Sequence, residues 1–128
     1  MEELRDIRML KLQIVKERER AARLRSEAGY ATNKLRQSAS RGTAEPDIMS
    51  SQIAKLVDIE REVLAKVVEA ETRISDAERA VDALPGAQRM VMRLRYFEGY
   101  DWRRVARTMH YSARRCMQIH EEGAAKLG

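Results

Sequence analysis

The chain has 128 residues, of which 44% are hydrophobic, 35% charged and 5% aromatic, with two prolines; this favours one or two small helical domains with long solvated faces and argues against a single large core. One cysteine, Cys116, excludes an intrachain disulfide and favours a reducing, cytoplasmic compartment. The first residues, MEELRDIRMLKLQIVKERER, are charged from Glu2 onward with no uninterrupted apolar run, and read as neither a signal peptide nor a membrane span.

The net charge of +5 is unevenly placed. Residues 1–85 hold 16 basic and 16 acidic side chains, whereas residues 86–128 hold 9 basic and 4 acidic. The whole excess lies in the C-terminal third, as expected where a chain meets a polyanion.

From Glu2 to about Ser38 there is no proline and a single glycine. Ile7, Leu10, Ile14, Glu17, Ala21, Leu24, Ala28, Ala31 and Leu35 recur at alternating three and four spacing, a heptad seam interrupted by one carboxylate. Residues 37–47, QSASRGTAEPD, form a loop by composition. Pro46 suits the first turn of the next helix, and Asp47 suits the positive end of its dipole. From there to Leu84 the pattern returns through Met49, Ile53, Leu56, Glu60, Val63, Val67, Ala70, Ile74, Ala77 and Val81, again with one glutamate in the seam. Two long helices and a short loop predict an antiparallel coiled-coil hairpin, each arm roughly 55 Å long. Its arms either satisfy each other or leave faces that make the protein a homo-oligomer. Glu17 and Glu60 set the register or pair with arginines across the hairpin; an acid/base pair is the alternative.

Leu84-Pro85-Gly86 ends the second helix, because proline cannot continue the hydrogen-bond ladder. A domain boundary is placed there, dividing a hairpin over 1–85 from a small domain over 86–128. A first short helix is expected at about Ala87 to Phe97, with Met90, Val91, Leu94 and Phe97 on one face. Glu98-Gly99-Tyr100 makes a turn, and Asp101 caps the second helix, whose Trp102, Val105, Ala106 and Met109 form an apolar stripe. His110-Tyr111 turns the chain and Ser112 caps a third helix, with Cys116 and Ile119 facing inward. Five of the six aromatics fall between Tyr96 and Tyr111 and are assigned to the small core rather than to base stacking.

The segments VMRLRYF, DWRRVARTM and YSARRCMQIHEEGAAKL resemble region four of bacterial sigma factors, the helix-turn-helix that reads the −35 promoter element. The likeness covers about the last 40 residues and includes Arg93, Leu94, Arg95, Tyr96, Ala106, Ser112 and the Arg115, Gln118, Ile119 spacing. With two long helices ahead of the motif, the chain is similar to phage-encoded sigma-like regulators of late transcription, of the RinA and ArpU type. The resemblance implies double-stranded DNA as partner and contact with RNA polymerase. Ala113 and Met117 stand where sigma factors commonly carry arginine, and Arg114 where they carry glutamate, so a site other than a standard −35 element is expected. No segment resembles sigma region two, so the chain is not expected to melt a promoter. Gly123 and Ala124 replace larger residues, and the last turn is expected to fray or pack elsewhere.

The physics of groove binding assigns the same residues. A recognition helix presents its early side chains to base edges while the preceding helix crosses the backbone. Arg114, Arg115 and Gln118 are the candidate base readers, arginine for guanine and glutamine for adenine. Arg93, Arg95, Arg103, Arg104, Arg107 and the hydroxyl of Ser112 are the candidate phosphate contacts. Cys116 and His120 are one turn apart, but a metal site needs more ligands, and Cys116 reads as a small buried hydrophobe. No glycine-rich phosphate loop or Ser/His/Asp arrangement is present, and neither an enzyme, a cofactor nor a metal is expected. The reading is a sequence-specific DNA-binding transcription regulator. The alternatives are an oligomeric DNA-packaging protein like a phage terminase small subunit, and a helix-turn-helix serving protein contact alone.

Overall fold

The computed structural model describes residues 1–42 and 46–128, and among them the chain is all α with no strand. Helix α1 runs Glu2–Ser40, α2 Pro46–Asp82, and α3 Gly86–Met92 with a π-helical continuation, Arg93–Phe97. Helices α4, Trp102–Met109, and α5, Ala113–Leu127, complete the chain. The expected loop over 37–47 is shorter than composition suggested. Gln, Ser and Ala cost little in a helix already nucleated, so α1 propagates to Ser40. The amides of Arg41 and Gly42 then close its end onto the carbonyls of Gln37, Ser38 and Ala39. Thr43, Ala44 and Glu45, inside that expected loop, lie outside the described residues.

The chain packs as two compact units, one of Gln13–Glu69 and one of Met1–Leu12 with Ala70–Gly128. In the first, the anticipated seam is the buried stripe: Ala21, Ala28, Val63 and Val67 are buried, and Ile14, Leu24, Leu35, Ile53 and Leu56 are half-buried. Glu60, whose side chain is 13% exposed, accepts a hydrogen bond from Arg25 Nε at 2.9 Å. The carboxylate that interrupts the seam is thus paired with an arginine of the other helix. Glu17 Oε2 is buried without a hydrogen-bond partner among the described residues.

The second unit has two apolar clusters. One gathers Leu4 and Ile7 of α1, Ala77 and Val81 of α2, Leu84, and Met92 of α3. The other gathers Val91 and Leu94 with Val105, Cys116 and Ile119, flanked by half-buried Tyr100, Trp102, Ala106 and Met109. Helix α3 separates them: Val91 and Met92 are both fully buried, about 100° apart around the helix, one in each cluster. This corrects the expected single face, because Met90 is 48% exposed. A helix buried on two sides defeats a one-face periodicity.

The chain does break at Pro85, which stands outside both helices with φ −57° and ψ 154°. Packing nevertheless crosses the break through Leu84 and Met92, and Arg93 Nη1 meets Asp82 Oδ1 at 2.7 Å. Helix α5 runs to Leu127 and its last turn packs inward. Gly123 is buried, and a Cβ there would lie 3.0 Å from Met92 Cε and 3.4 Å from Gln88 Cβ, so its bare backbone permits the close approach of α5 to α3. Ala124 and Leu127 pack against the cluster around Met92.

Candidate nucleic-acid interface

Helices α4 and α5 are set by local chemistry. Asp101 Oδ1 accepts the Arg104 amide at 2.8 Å and caps α4; Ser112 Oγ accepts the Arg115 amide at 3.1 Å and caps α5. Each cap is worth about 1 kcal/mol. Between the helices His110 takes the left-handed conformation, φ 60° and ψ 35°, and Tyr111 donates its amide to the Ala106 carbonyl. A single reversed residue turns the chain at once, and α5 packs on both α3 and α4. Ahead of α4, Gly99 takes φ +72° and Tyr100 donates its amide to the Leu94 carbonyl, closing the π-helical turn.

The basic residues divide by what already holds them. Arg93 is half-buried, bound to Asp82 and 5.7 Å from the Phe97 ring centre. Arg95, also half-buried, donates to the Tyr100 carbonyl at 2.9 Å and lies over the Trp102 ring. Arg104 is exposed but stacks 3.8 Å above Tyr100. Arg115 is exposed and stands 3.8 Å from Glu122 Oε1, a loose surface pair. Arg103, Arg107, Arg114 and Gln118 are exposed and hold no hydrogen bond or ion pair among the described residues. They form two i,i+4 pairs, Arg103 with Arg107 on α4 and Arg114 with Gln118 on α5, so each helix offers one uncommitted polar face. The Ser112 hydroxyl accepts at its cap and keeps its own proton for an outside acceptor. Exposed Ala113 and Met117, the latter 42% accessible, lie near Arg114 and add an apolar component.

A half-buried polar contact joins α5 to the π-helical segment. His120 Nε2 is 2.6 Å from the Tyr96 hydroxyl, and its ring meets the Trp102 ring edge-on at 5.2 Å. Burial, with help from Arg95 and Arg5, lowers the His120 pKa below the usual histidine value against the opposing pull of Glu121. Burial raises the Tyr96 pKa although Arg5 and Arg95 stand near it. Cys116 is fully buried, and burial alone raises its thiol pKa, as befits a packing residue. Among the described residues no three His, Cys, Asp or Glu side chains converge as a metal site would require.

Counting charge along the sequence missed Arg5 and Arg8 of α1. They line a pocket of about 190 Å³ with Arg95 and Tyr96, within the same compact unit as the helix-turn-helix. The signal lay in the helical spacing of the charges rather than in their sum.

Residues 80–127 match the family model of sigma-70, region 4. No curated protein and no solved structure matches the chain. No described helix is long and apolar enough to cross a membrane. The matched segment starts ahead of Pro85 and takes in Val81 and Leu84 as well as the three short helices. With both caps, the reversed residue between α4 and α5, and this match in place, residues 80–127 are a sigma-70 region 4-like, DNA-binding helix-turn-helix.

Proposed function

We propose that the protein is a sequence-specific regulator of transcription that reads duplex DNA through α5 and holds the backbone through α4. The observation that carries this reading is the pair of uncommitted faces on adjacent helices, Arg114 with Gln118 and Arg103 with Arg107. Arg114 and Gln118 meet base edges, joined by Arg115 when it leaves Glu122, and Met117 meets apolar base surface such as a thymine methyl. Arg103, Arg107, Arg104 and the Ser112 hydroxyl hold phosphates. Arg93 and Arg95 contribute mainly positive potential, since both already have protein partners.

Residues 1–85 serve as the mount in this reading, and 86–128 as the reader. The mount self-associates: Met9, Leu12 and Val15 of α1 are 67%, 47% and 54% exposed, at spacings of three. RNA polymerase is the second partner, by likeness to sigma region four, and the resemblance to phage regulators supports a phage or prophage setting in the cytoplasm. Light scattering on the full chain is expected to give a dimer; a larger ring would favour the packaging reading.

The decisive experiment titrates variants against a selected duplex and a random one at several salt concentrations. Arg114→Ala is expected to cost roughly 1–3 kcal/mol on the selected site, with little loss on random DNA. Arg103→Ala is expected to weaken both duplexes alike and to lower the salt slope by about one. Equal losses on both duplexes for Arg114→Ala would show that α5 is not the reading helix.

A further inference from the structure

The first twelve residues carry three bases, Arg5, Arg8 and Lys11, and three acids, Glu2, Glu3 and Asp6. Their sum is zero, but their placement is not neutral. At about 100° per residue the bases spread along one side of α1 and the acids centre roughly opposite. Asp6, on the acidic side, is occupied by Arg73 at 3.3 Å. The basic side faces the turn that precedes α4. Lys11 Nζ donates to the Phe97 carbonyl at 3.0 Å, and Arg5 and Tyr96 line the same pocket, where the Arg5 charge works against the rise that burial imposes on the Tyr96 pKa. The Arg8 guanidinium lies beside Gly99, with Nη2 3.8 Å from where a Cβ would stand.

These side chains and Arg95 shape the 190 Å³ pocket, whose lining is Leu4, Arg5, Arg8, Arg95, Tyr96 and Gly99. Three arginines line one space and no acidic residue does. Like charges gathered this way repel one another, and an oxyanion placed among them relieves the repulsion while accepting charge-assisted hydrogen bonds. Arg95 links the pocket to α4, because it donates to the Tyr100 carbonyl and Arg104 stacks on the Tyr100 ring. Asp101 follows, and Arg103 stands in the first turn of α4, where the helix dipole adds further positive potential. Through Arg95 and Tyr100 the pocket is thus tied to Arg104, which the proposed function assigns to a phosphate.

We infer that this pocket takes a backbone phosphate of the bound duplex, so that Arg8, with Arg5 and Arg95, extends the DNA-binding surface onto α1. The inference rests on the DNA-binding reading and adds a contact that the C-terminal helices do not supply.

Arg8 is the residue to change, since it holds no hydrogen bond or ion pair among the described residues, whereas Arg95 already donates to the Tyr100 carbonyl. The full chain, Arg8→Gln, Arg8→Lys and a control, Arg61→Gln on an exposed stretch of α2, are titrated against random duplex across a salt series. Arg8→Gln is expected to weaken binding roughly tenfold and to lower the salt slope by about one, with Arg8→Lys keeping the slope and Arg61→Gln matching the unaltered chain. If the unaltered chain binds and Arg8→Gln binds it equally with the same slope, the inference falls while the DNA reading stands. Equal slope losses for Arg8→Gln and Arg61→Gln would assign the effect to overall charge and also overturn it. A second arm titrates inorganic phosphate alone: submillimolar binding that Arg8→Gln abolishes, with an unchanged DNA slope, would give the pocket to a free anion instead. Failure of the unaltered chain to bind any duplex would remove the DNA reading and this inference together.

Discussion

Val91 and Met92 are neighbours in the chain and both are fully buried, yet they serve different cores. The core around Val91 draws every buried member from residues 91–119, and the half-buried residues beside it come from the same stretch. The core around Met92 joins Leu4 and Ile7 to buried residues at least seventy positions away. One core is local and the other is closed by the two ends of the described chain. The local core orients α4 and α5 and so shapes the face proposed to read DNA. The long-range core brings the start of α1 beside α3 and with it Arg5 and Arg8. The proposed α1 contribution to the surface thus depends on contacts that the helix-turn-helix itself does not contain.

The comparison is broken most forcefully at Met92. Met92→Ala removes a fully buried side chain and is expected to cost about 2–5 kcal/mol in denaturant unfolding. Native-state hydrogen exchange should then show faster exchange at the amides of Ile7 to Leu10, because α1 has lost a partner there. Val105→Ala removes two methyl groups from the local core and is expected to cost less, roughly 1–3 kcal/mol. It should loosen α4 and α5 and leave Ile7 to Leu10 protected. If both variants exposed the same amides, the two clusters would behave as one cooperative core.

The same contrast separates what the sequence displayed from what it hid. The seams of α1 and α2 were legible because a narrow buried stripe recurs every three or four residues, and Ile7, Ala21, Ala28, Val63, Val67 and Val81 are all buried. Asp101 and Ser112 were legible as caps because side-chain acceptance of a first-turn amide is a local act. Met92 was not, since its burial depends on Leu4, Ile7 and Val81, and no local pattern encodes that meeting. Gly123 suggested a weak helix end, whereas its bare backbone is what admits Met92 and Gln88 so closely. Of the site, the bases of α4 and α5 stood out as an excess of charge. Arg5 and Arg8 were cancelled in the sum by Glu2, Glu3 and Asp6, which occupy another side of the helix. Which bases were already taken could not be read either: Arg93 and Arg95 look as free in the sequence as Arg103 and Arg107, and only the fold gives them Asp82 and the Tyr100 carbonyl.

The smallest effect is expected where elements of both cores meet, at His120. Tyr96 packs against the long-range core and Trp102 against the local one, and the imidazole touches both. The Tyr96 hydroxyl and His120 Nε2 stand 2.6 Å apart, and with the ring neutral the phenol can donate to an unprotonated Nε2. Protonating the ring would turn that acceptor into a donor and place a cation near Arg5 and Arg95, with Glu121 alone in favour. Burial first, and then the charges of Arg95 and Arg5, hold the folded pKa below the ordinary value of 6.5. In that case the unfolded chain takes up the proton first, and stability that is complete above the unfolded pKa is lost as pH falls from there through the folded pKa. Melting curves recorded from neutral pH downward should show a modest fall in Tm below about 6.5 that His120→Gln removes. Exchange of the Ile7 and Val105 amides should quicken together over the same window, because the ring braces residues belonging to both cores. A His120→Gln chain with the same pH profile as the unaltered protein would place the acid sensitivity elsewhere, and a change confined to one set of amides would assign His120 to that core alone.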